Sequence, residues 1–227
     1  MQPPHPKPPN PQPPHSKSGS THKLGRNLGA PYLRASYLRT AVLTLTGLLL
    51  LTTQLPAAKS AEPDVDPATG FRLSNYRAPV PPSVPGGTVI TLEELEQKQR
   101  NGNAILLDVM AAEGAGADPA TGVWLLTKPR RNKAGSTWLP DVGRGVLSPT
   151  LEAYFQDNLA RLTSADKARP IIIYCQADCW MSWNAVKRAA SYGYTALYWY
   201  PDGTDGMRDW DVPLVDATPV PMRPQER

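Results

Sequence analysis

Apolar and polar positions along this chain switch between two periods. Ile171-Ile172-Ile173-Tyr174, placed after Pro170, is apolar without interruption and reads as a buried strand. Ala104-Ile105-Leu106-Leu107-Asp108-Val109 has the same character and ends in a carboxylate, while Thr88-Val89-Ile90 and Ala196-Leu197-Tyr198-Trp199-Tyr200 read as two further strands. Between these runs the period lengthens. Thr91-Leu92-Glu93-Glu94 has a capping-box pattern and opens a helix that ends near Arg100-Asn101-Gly102. Thr150 to Leu162 places Leu151, Tyr154, Leu159 and Leu162 at helical spacing, and Ser182 to Ala190 reads as a helix with a serine near its start. Strands alternating with helices predict an α/β fold with a mostly parallel central sheet, right-handed crossovers and helices on both faces.

The segments between these elements carry weaker patterns. Glu62 to Gly87 is rich in Pro and Gly and reads as an extended lead-in lying against the domain surface. Met110 to Ser136 is long, Gly-rich and basic from Lys128 to Lys133, so it reads as a loop or insertion. The pentapeptide Asp-Pro-Ala-Thr-Gly occurs from Asp66 and again from Asp118, which reads as coincidence rather than a structural repeat. Pro201 to Gly206 reads as a turn. One domain over residues 88–215 follows, with the lead-in at 62–87 and a C-terminal tail at 216–227.

The N-terminal part changes the charge argument. Residues 1–40 are Pro-rich and basic with no acidic residue, which predicts disorder. Residues 41–61 hold an apolar run from Ala41 to Leu51, then the small residues of Ala58-Lys59-Ser60-Ala61. Together these predict a secretory signal peptide and a periplasmic mature protein, with an uncleaved membrane anchor as the alternative. The basic region is long for such a signal, which fits a start codon assigned upstream of the true one. Residues 1–61 contain seven of the 24 Lys and Arg and none of the 20 Asp and Glu, so the remainder carries 17 against 20. The basic balance therefore belongs to the tail, and no nucleic-acid footprint remains.

All three histidines (His5, His15, His22) also lie in that segment. The remaining 166 residues cannot run a Ser-His-Asp or Cys-His mechanism or build a histidine-containing zinc site. Two thiols are too few for an iron–sulfur cluster or a four-cysteine zinc site within one chain. Cys175 and Cys179 are the only cysteines. They fall between a strand's C-terminal end and a helix N-terminus, where α/β proteins place ligands and where backbone amides favour thiolate over thiol.

The order of elements resembles a rhodanese domain over roughly residues 88–215. Asp108-Val109 ends one strand, Trp138-Leu139-Pro140 follows, Cys175 succeeds another strand, and a helix leads to Gly193-Tyr194 and a last strand before Trp210. The resemblance implies a rhodanese-like single domain in which Cys175 could carry a sulfane sulfur. A second resemblance covers nearly all the chain after residue 61. Its carriers are Tyr174-Cys175-Gln176-Ala177-Asp178-Cys179-Trp180-Met181-Ser182-Trp183-Asn184-Ala185, Trp199 to Gly206, Trp138 to Gly143 and Thr150 to Leu159. These resemble the pyrroloquinoline quinone (PQQ)-dependent catabolism-associated CXXCW motif family. That likeness implies a periplasmic accessory protein of quinoprotein alcohol oxidation, with PQQ as a possible cofactor and a quinoprotein dehydrogenase or its cytochrome as partner.

The chain departs from sulfurtransferases where it matters. Asp178 and Trp180-Met181 stand where rhodanese loops carry glycine and arginine, and Met110 stands where many have arginine. Asp178 beside the thiol raises its pKa and repels thiosulfate, which disfavours generic thiosulfate chemistry. The expected site is Cys175 as attacking thiolate and Cys179 as resolving thiol, shaped by Gln176, Ala177, Asp178, Trp180, Met181, Ser182, Trp183 and Asp108. Ser182 and the first-turn amides would stabilise the sulfur anion. Trp180 would shape access or offer a stacking wall for a flat ligand; Trp183 and Trp199 read as core packing. Asp108 reads first as a cap and second as a proton acceptor for Cys175. Asp202 and Asp205 offer a weak calcium pattern, and Lys128-Arg130-Arg131-Lys133 a solvated face that could dock an acidic partner. Three functions stay open: thiol–disulfide exchange or sulfur handling, a binding module with a structural disulfide, and a sulfurtransferase using Cys175 alone.

Overall fold

A computed structural model describes residues 64–224, all of which fall in a compact unit spanning Ala57–Arg227. The tail at 1–40 and the signal segment at 41–61 lie outside the described residues. The elements in chain order are β1 (Thr88–Val89), α1 (Leu92–Arg100), β2 (Ile105–Asp108), β3 (Gly114–Ala117) and β4 (Trp124–Leu126). There follow β5 (Arg130–Lys133), β6 (Ser136–Trp138), α2 (Pro149–Thr163) and β7 (Ile171–Tyr174). The chain continues through α3 (Trp180–Ser191), β8 (Leu197–Tyr200), α4 (Gly203–Asp209) and β9 (Leu214–Ala217). Among these residues no helix is long and apolar enough to cross a membrane.

The central sheet has five strands in the order β1-β8-β7-β2-β6, every pairing parallel. This is the α/β architecture that the rhodanese resemblance implies. Strand pleat sends alternate residues to opposite faces. Leu107, Ile171, Ile173, Leu197 and Trp199 share one apolar cluster with Tyr154, Phe155 and Leu159 of α2 and Val186 and Ala189 of α3. Leu106, Ile172, Tyr174 and Tyr200 share the other with Leu95 of α1 and Met207 of α4. Helices thus cover both faces, which is why β7 could be apolar throughout. Each such fully buried side chain contributes about 1.5–3 kcal/mol of apolar transfer. The register sets Asp108 beside Tyr174 and Tyr174 beside Tyr200, so the carboxyl ends of the three central strands are level.

Helix starts follow local chemistry. The Thr91 hydroxyl accepts from the Glu94 amide while the Glu94 carboxylate accepts from the Thr91 amide, completing the capping box. Helix α2 starts at Pro149 behind a Ser148 cap. Helix α3 starts at Trp180, earlier than expected, with Cys179 rather than a serine at the cap position.

Two expectations need correction. Residues 110–136 are not a loop: they contain β3, β4 and β5, and β6 begins at Ser136. Strands β3 and β4 pair antiparallel, as do β5 and β9. A Gly-Ala-Gly-Ala strand and an Arg-Arg-Asn-Lys strand show no apolar alternation, but backbone ladders need none. Residues 203–209 form α4 instead of continuing a turn.

The repeated pentapeptide also folds the same way twice. Asp66 Oδ1 accepts from Ala68 N, Gly70 N donates to Asp66 O, and Phe71 N donates to Thr69 Oγ1. In the second copy Asp118 Oδ1 accepts from Ala120 N, Gly122 N donates to Asp118 O, and Val123 N donates to Thr121 Oγ1. Each closes an antiparallel pairing, Val65 with Arg72 and Ala117 with Trp124. Gly70 and Gly122 take φ of +66° and +72°, the left-handed region that glycine enters without strain. The repeat is a local turn used twice.

Candidate functional site

Cys175 is the first residue past β7, and Cys179 caps α3. They form a disulfide across the Gln176-Ala177-Asp178 loop, with Cα atoms 6.2 Å apart. Asp178 occupies the left-handed region at φ +52° and is exposed, while Gln176 and Ala177 are half-buried. The pair itself is enclosed, with Cys175 0 % and Cys179 3 % exposed. That burial bears on the expected roles: the cysteine assigned the attack is the deeper of the two.

The loop is held from two sides. On one, the lead-in forms a bridge between Arg77 and Cys179, with Ala78 N donating to Asp178 O and Trp180 N to Tyr76 O. On the other, Gln176 bridges Gly203, and Thr204 N donates to Cys175 O. Gly203 has φ +52°, and a Cβ there would fall within 2.5–2.7 Å of the Gln176 backbone, so only glycine permits this approach. Asp205 joins the two sides. One of its carboxylate oxygens accepts from Ala177 N at 3.2 Å and Arg77 at 3.1 Å, and the other from Arg208. Asp205 is therefore committed to this clamp. Among the described residues no three His, Cys, Asp or Glu side chains gather as a metal site.

Beneath Cys175 lies a buried ion pair that sequence reading missed. Arg130 Nε and Nη2 reach the two Asp108 oxygens at 2.8 and 3.0 Å, and Nη2 also donates to Cys175 O at 2.9 Å. Met110 N donates to Asp108 Oδ1 at 3.1 Å. Both carboxylate oxygens are thus occupied, and Asp108 anchors Arg130 instead of serving Cys175 as a base. Burial pushes the Asp108 carboxyl upward while Arg130 pulls it down. Arg130 belongs to the run expected to form a solvated face. Nothing in Lys-Pro-Arg-Arg-Asn-Lys distinguishes it from Arg131, because only the pairing of β5 with β9 decides which guanidinium points inward.

The remaining predicted residues fall around the pair with altered duties. The Ser182 hydroxyl donates to Cys179 O at 2.9 Å and accepts from the Trp199 indole at 2.9 Å, so it braces the helix start against β8 and is not free for a sulfur anion. Trp183 donates to Ser83 O and Trp180 to Pro79 O, each fastening the lead-in. Trp180 lies 5.2 Å from Trp183 by ring centroids and has the Arg72 guanidinium 5.2 Å from its own centroid. Its ring is committed to protein partners, which removes the stacking wall. Met181 is buried in the core. Asn184, fully buried, accepts from Arg72 N and donates to Arg72 O and Gly143 O, a further tie between lead-in and helix. The Met110 Sδ lies 3.3 Å from the Cys175 Sγ. A disulfide-bonded Cys175 has no S–H, so this is a direct sulfur–sulfur contact.

Chemically, the arrangement offers one bond that can be made and broken, set against a twelve-residue helix whose N-terminal amides favour an anion. No protein-family model matches the chain, and no curated protein matches it. Among solved structures it is similar to the polysulfide-sulfur transferase homodimer from Wolinella succinogenes, at 15 % identity, TM-score 0.36 and coverage of 57 % of this chain and 79 % of that one. It is also similar to a full-length protein from Lactobacillus plantarum (14 %, 0.36, 57 % and 87 %). An uncharacterized protein from Saccharomyces cerevisiae is a third (17 %, 0.31, 55 % and 92 %). At these scores the likenesses bear on neither substrate nor reaction.

Proposed function

We propose that this chain is a thiol–disulfide exchange or sulfur-handling protein acting after export to the periplasm, as an accessory to PQQ-dependent alcohol oxidation. The observation that carries the chemistry is the Cys175–Cys179 bond at the carboxyl edge of a parallel sheet, against the start of α3. The pathway rests on the motif around Cys175, Cys179 and Trp180. In exchange, a partner thiolate attacks Cys179, the less enclosed sulfur. The Cys175–Cys179 bond breaks, and Cys175 leaves as a thiolate near the first-turn amides. A second partner thiolate then attacks the partner's sulfur in this mixed disulfide, so the partner leaves as its own disulfide and Cys179 departs as a thiolate; Cys175 and Cys179 end as thiols once protonated. The natural partner is a periplasmic quinoprotein dehydrogenase or its cytochrome. The residues beside the pair are ill-suited to PQQ, a flat tricarboxylate. Trp180 is occupied, Arg72 pairs with Asp64 at 3.0 Å, and Arg77 pairs with Asp205 at 3.1 Å. No step is routed through the cofactor.

The burial of both sulfurs favours one other reading, a binding module in which the bond is a staple. The reduction potential of the purified protein, read by thiol trapping and mass against a glutathione series, separates them. Exchange expects a potential above about −220 mV, and a value below about −300 mV overturns it in favour of the staple. A gain of one sulfur in mass on Cys175 would instead support a sulfurtransferase, for which Cys179→Ser is harmless.

A further inference from the structure

Three sulfur atoms converge where the chain departs from the sulfurtransferase pattern. Cys175 and Cys179 are bonded, and the Met110 thioether touches Cys175 Sγ at 3.3 Å. Met110 is the second residue past β2, whose pairing of Asp108 with Tyr174 of β7 brings the end of β2 alongside Cys175. The Met110 carbonyl accepts from the Trp138 indole at 2.7 Å and its amide donates to Asp108 at 3.1 Å, so its backbone is fixed on both sides. Met110 is half-buried, the only one of the three not enclosed.

We infer that the reduced form of this site binds a single copper(I) ion through Cys175, Cys179 and Met110. This rests on the reading above that the Cys175–Cys179 bond opens. A dithiol reductant supplies two electrons: its thiolate breaks the bond, it leaves as its own disulfide, and two protons end on Cys175 and Cys179. Copper(I) then displaces both protons and is held by two thiolates and a neutral thioether. Thiolate and thioether donors favour soft ions, of which copper(I) is the one suited to two thiolates with a thioether, over oxygen-seeking cations. With metal–sulfur bonds of about 2.3 Å, a trigonal site needs its sulfurs about 4 Å apart. The Met110–Cys175 contact opens to this by well under 1 Å, and cysteines with Cα atoms 6.2 Å apart reach it once the bond is broken. The bound unit carries one net negative charge in a buried place. Cys179 makes no side-chain cap bond at the start of α3, and a helix N-terminus favours negative charge nearby.

The test is to reduce the purified chain anaerobically with a phosphine, count thiols by alkylation and mass, and titrate with copper(I) against bicinchoninate. Two alkylated thiols and one copper per chain, taken from the probe, are expected. Met110→Leu keeps volume and should fold. It should weaken copper by more than the roughly 10–100-fold that losing an outer-shell partner costs, with both thiols still titrating. Two free thiols without copper uptake, or Met110→Leu binding as tightly as the native chain, overturns the copper site while exchange stands. Thiols that never appear overturn the opening of the bond, and the copper site with it.

Discussion

Arg130 and Arg131 are adjacent in β5, and the strand's pleat sends their side chains to opposite sides. Arg130 is 11 % exposed and forks onto the fully buried Asp108, whereas Arg131 is 64 % exposed and faces an Asp216 that is 94 % exposed. Removing one partner of a buried pair leaves a charge without compensation, while an exposed pair contributes little. Arg130→Leu should therefore lower the unfolding free energy by about 3–5 kcal/mol. Arg131→Leu should stay within about 0.5 kcal/mol. Urea unfolding of both variants reads the contrast, and equal effects would mean Asp108 is not held as described. Because Arg130 also holds the Cys175 carbonyl, the first variant should loosen the disulfide loop as well.

At the level of elements, the lead-in acts as a strap over the start of α3. Its attachments are the Arg77–Cys179 bridge, the Trp180 and Trp183 indoles on Pro79 and Ser83, and the Arg77–Asp205 ion pair. A partner or reductant must displace part of this strap, since Cys179 is 3 % exposed. The Arg77 side chain is 58 % exposed, so its ion pair adds little global stability but helps to hold the strap in place. Arg77→Ala should leave the urea midpoint nearly unchanged while speeding reduction of the disulfide by dithiothreitol several-fold. Unchanged kinetics of thiol release would show that access is gained elsewhere.

Across the whole molecule, buried tyrosines tie the sheet to its surroundings. Tyr154 donates to Val220 O at 2.7 Å, fastening the C-terminal tail to α2, and the Tyr174 hydroxyl sits 2.5 Å from Ser136 Oγ between β7 and β6. Burial is the main cause that lifts both phenols well above the usual value of 10.0. The unfolded chain ionises near pH 10 and the folded one does not, so the folded state keeps more protons above that point. Stability from these groups is complete below pH 10 and falls as pH rises beyond it. The loss is up to about 1.4 kcal/mol per pH unit for each tyrosine. Urea midpoints at pH 8 and pH 11 should differ accordingly, and a flat profile would place both phenols in contact with water.

Local pattern was enough for the capping box at Thr91, the apolar run of β7 and the position of Cys175 at its end, because each depends on residues close in sequence, and the alternation of strands with helices pointed to the parallel sheet. The two Asp-Pro-Ala-Thr-Gly copies read as coincidence in the sequence, yet both fold as the same local turn. Strands β3 and β5 were not legible, since backbone pairing with β4 and β9 imposes them on side chains with no strand period. Tertiary structure alone decided that Arg130 turns inward while Arg131 turns out. It alone gave the Ser182 hydroxyl and the Trp180 indole their protein partners. It also placed the Met110 sulfur on Cys175 across 65 residues of chain. Spacing along the sequence sets the faces of strands and helices; which faces meet is settled only when the sheet's register brings distant strands level.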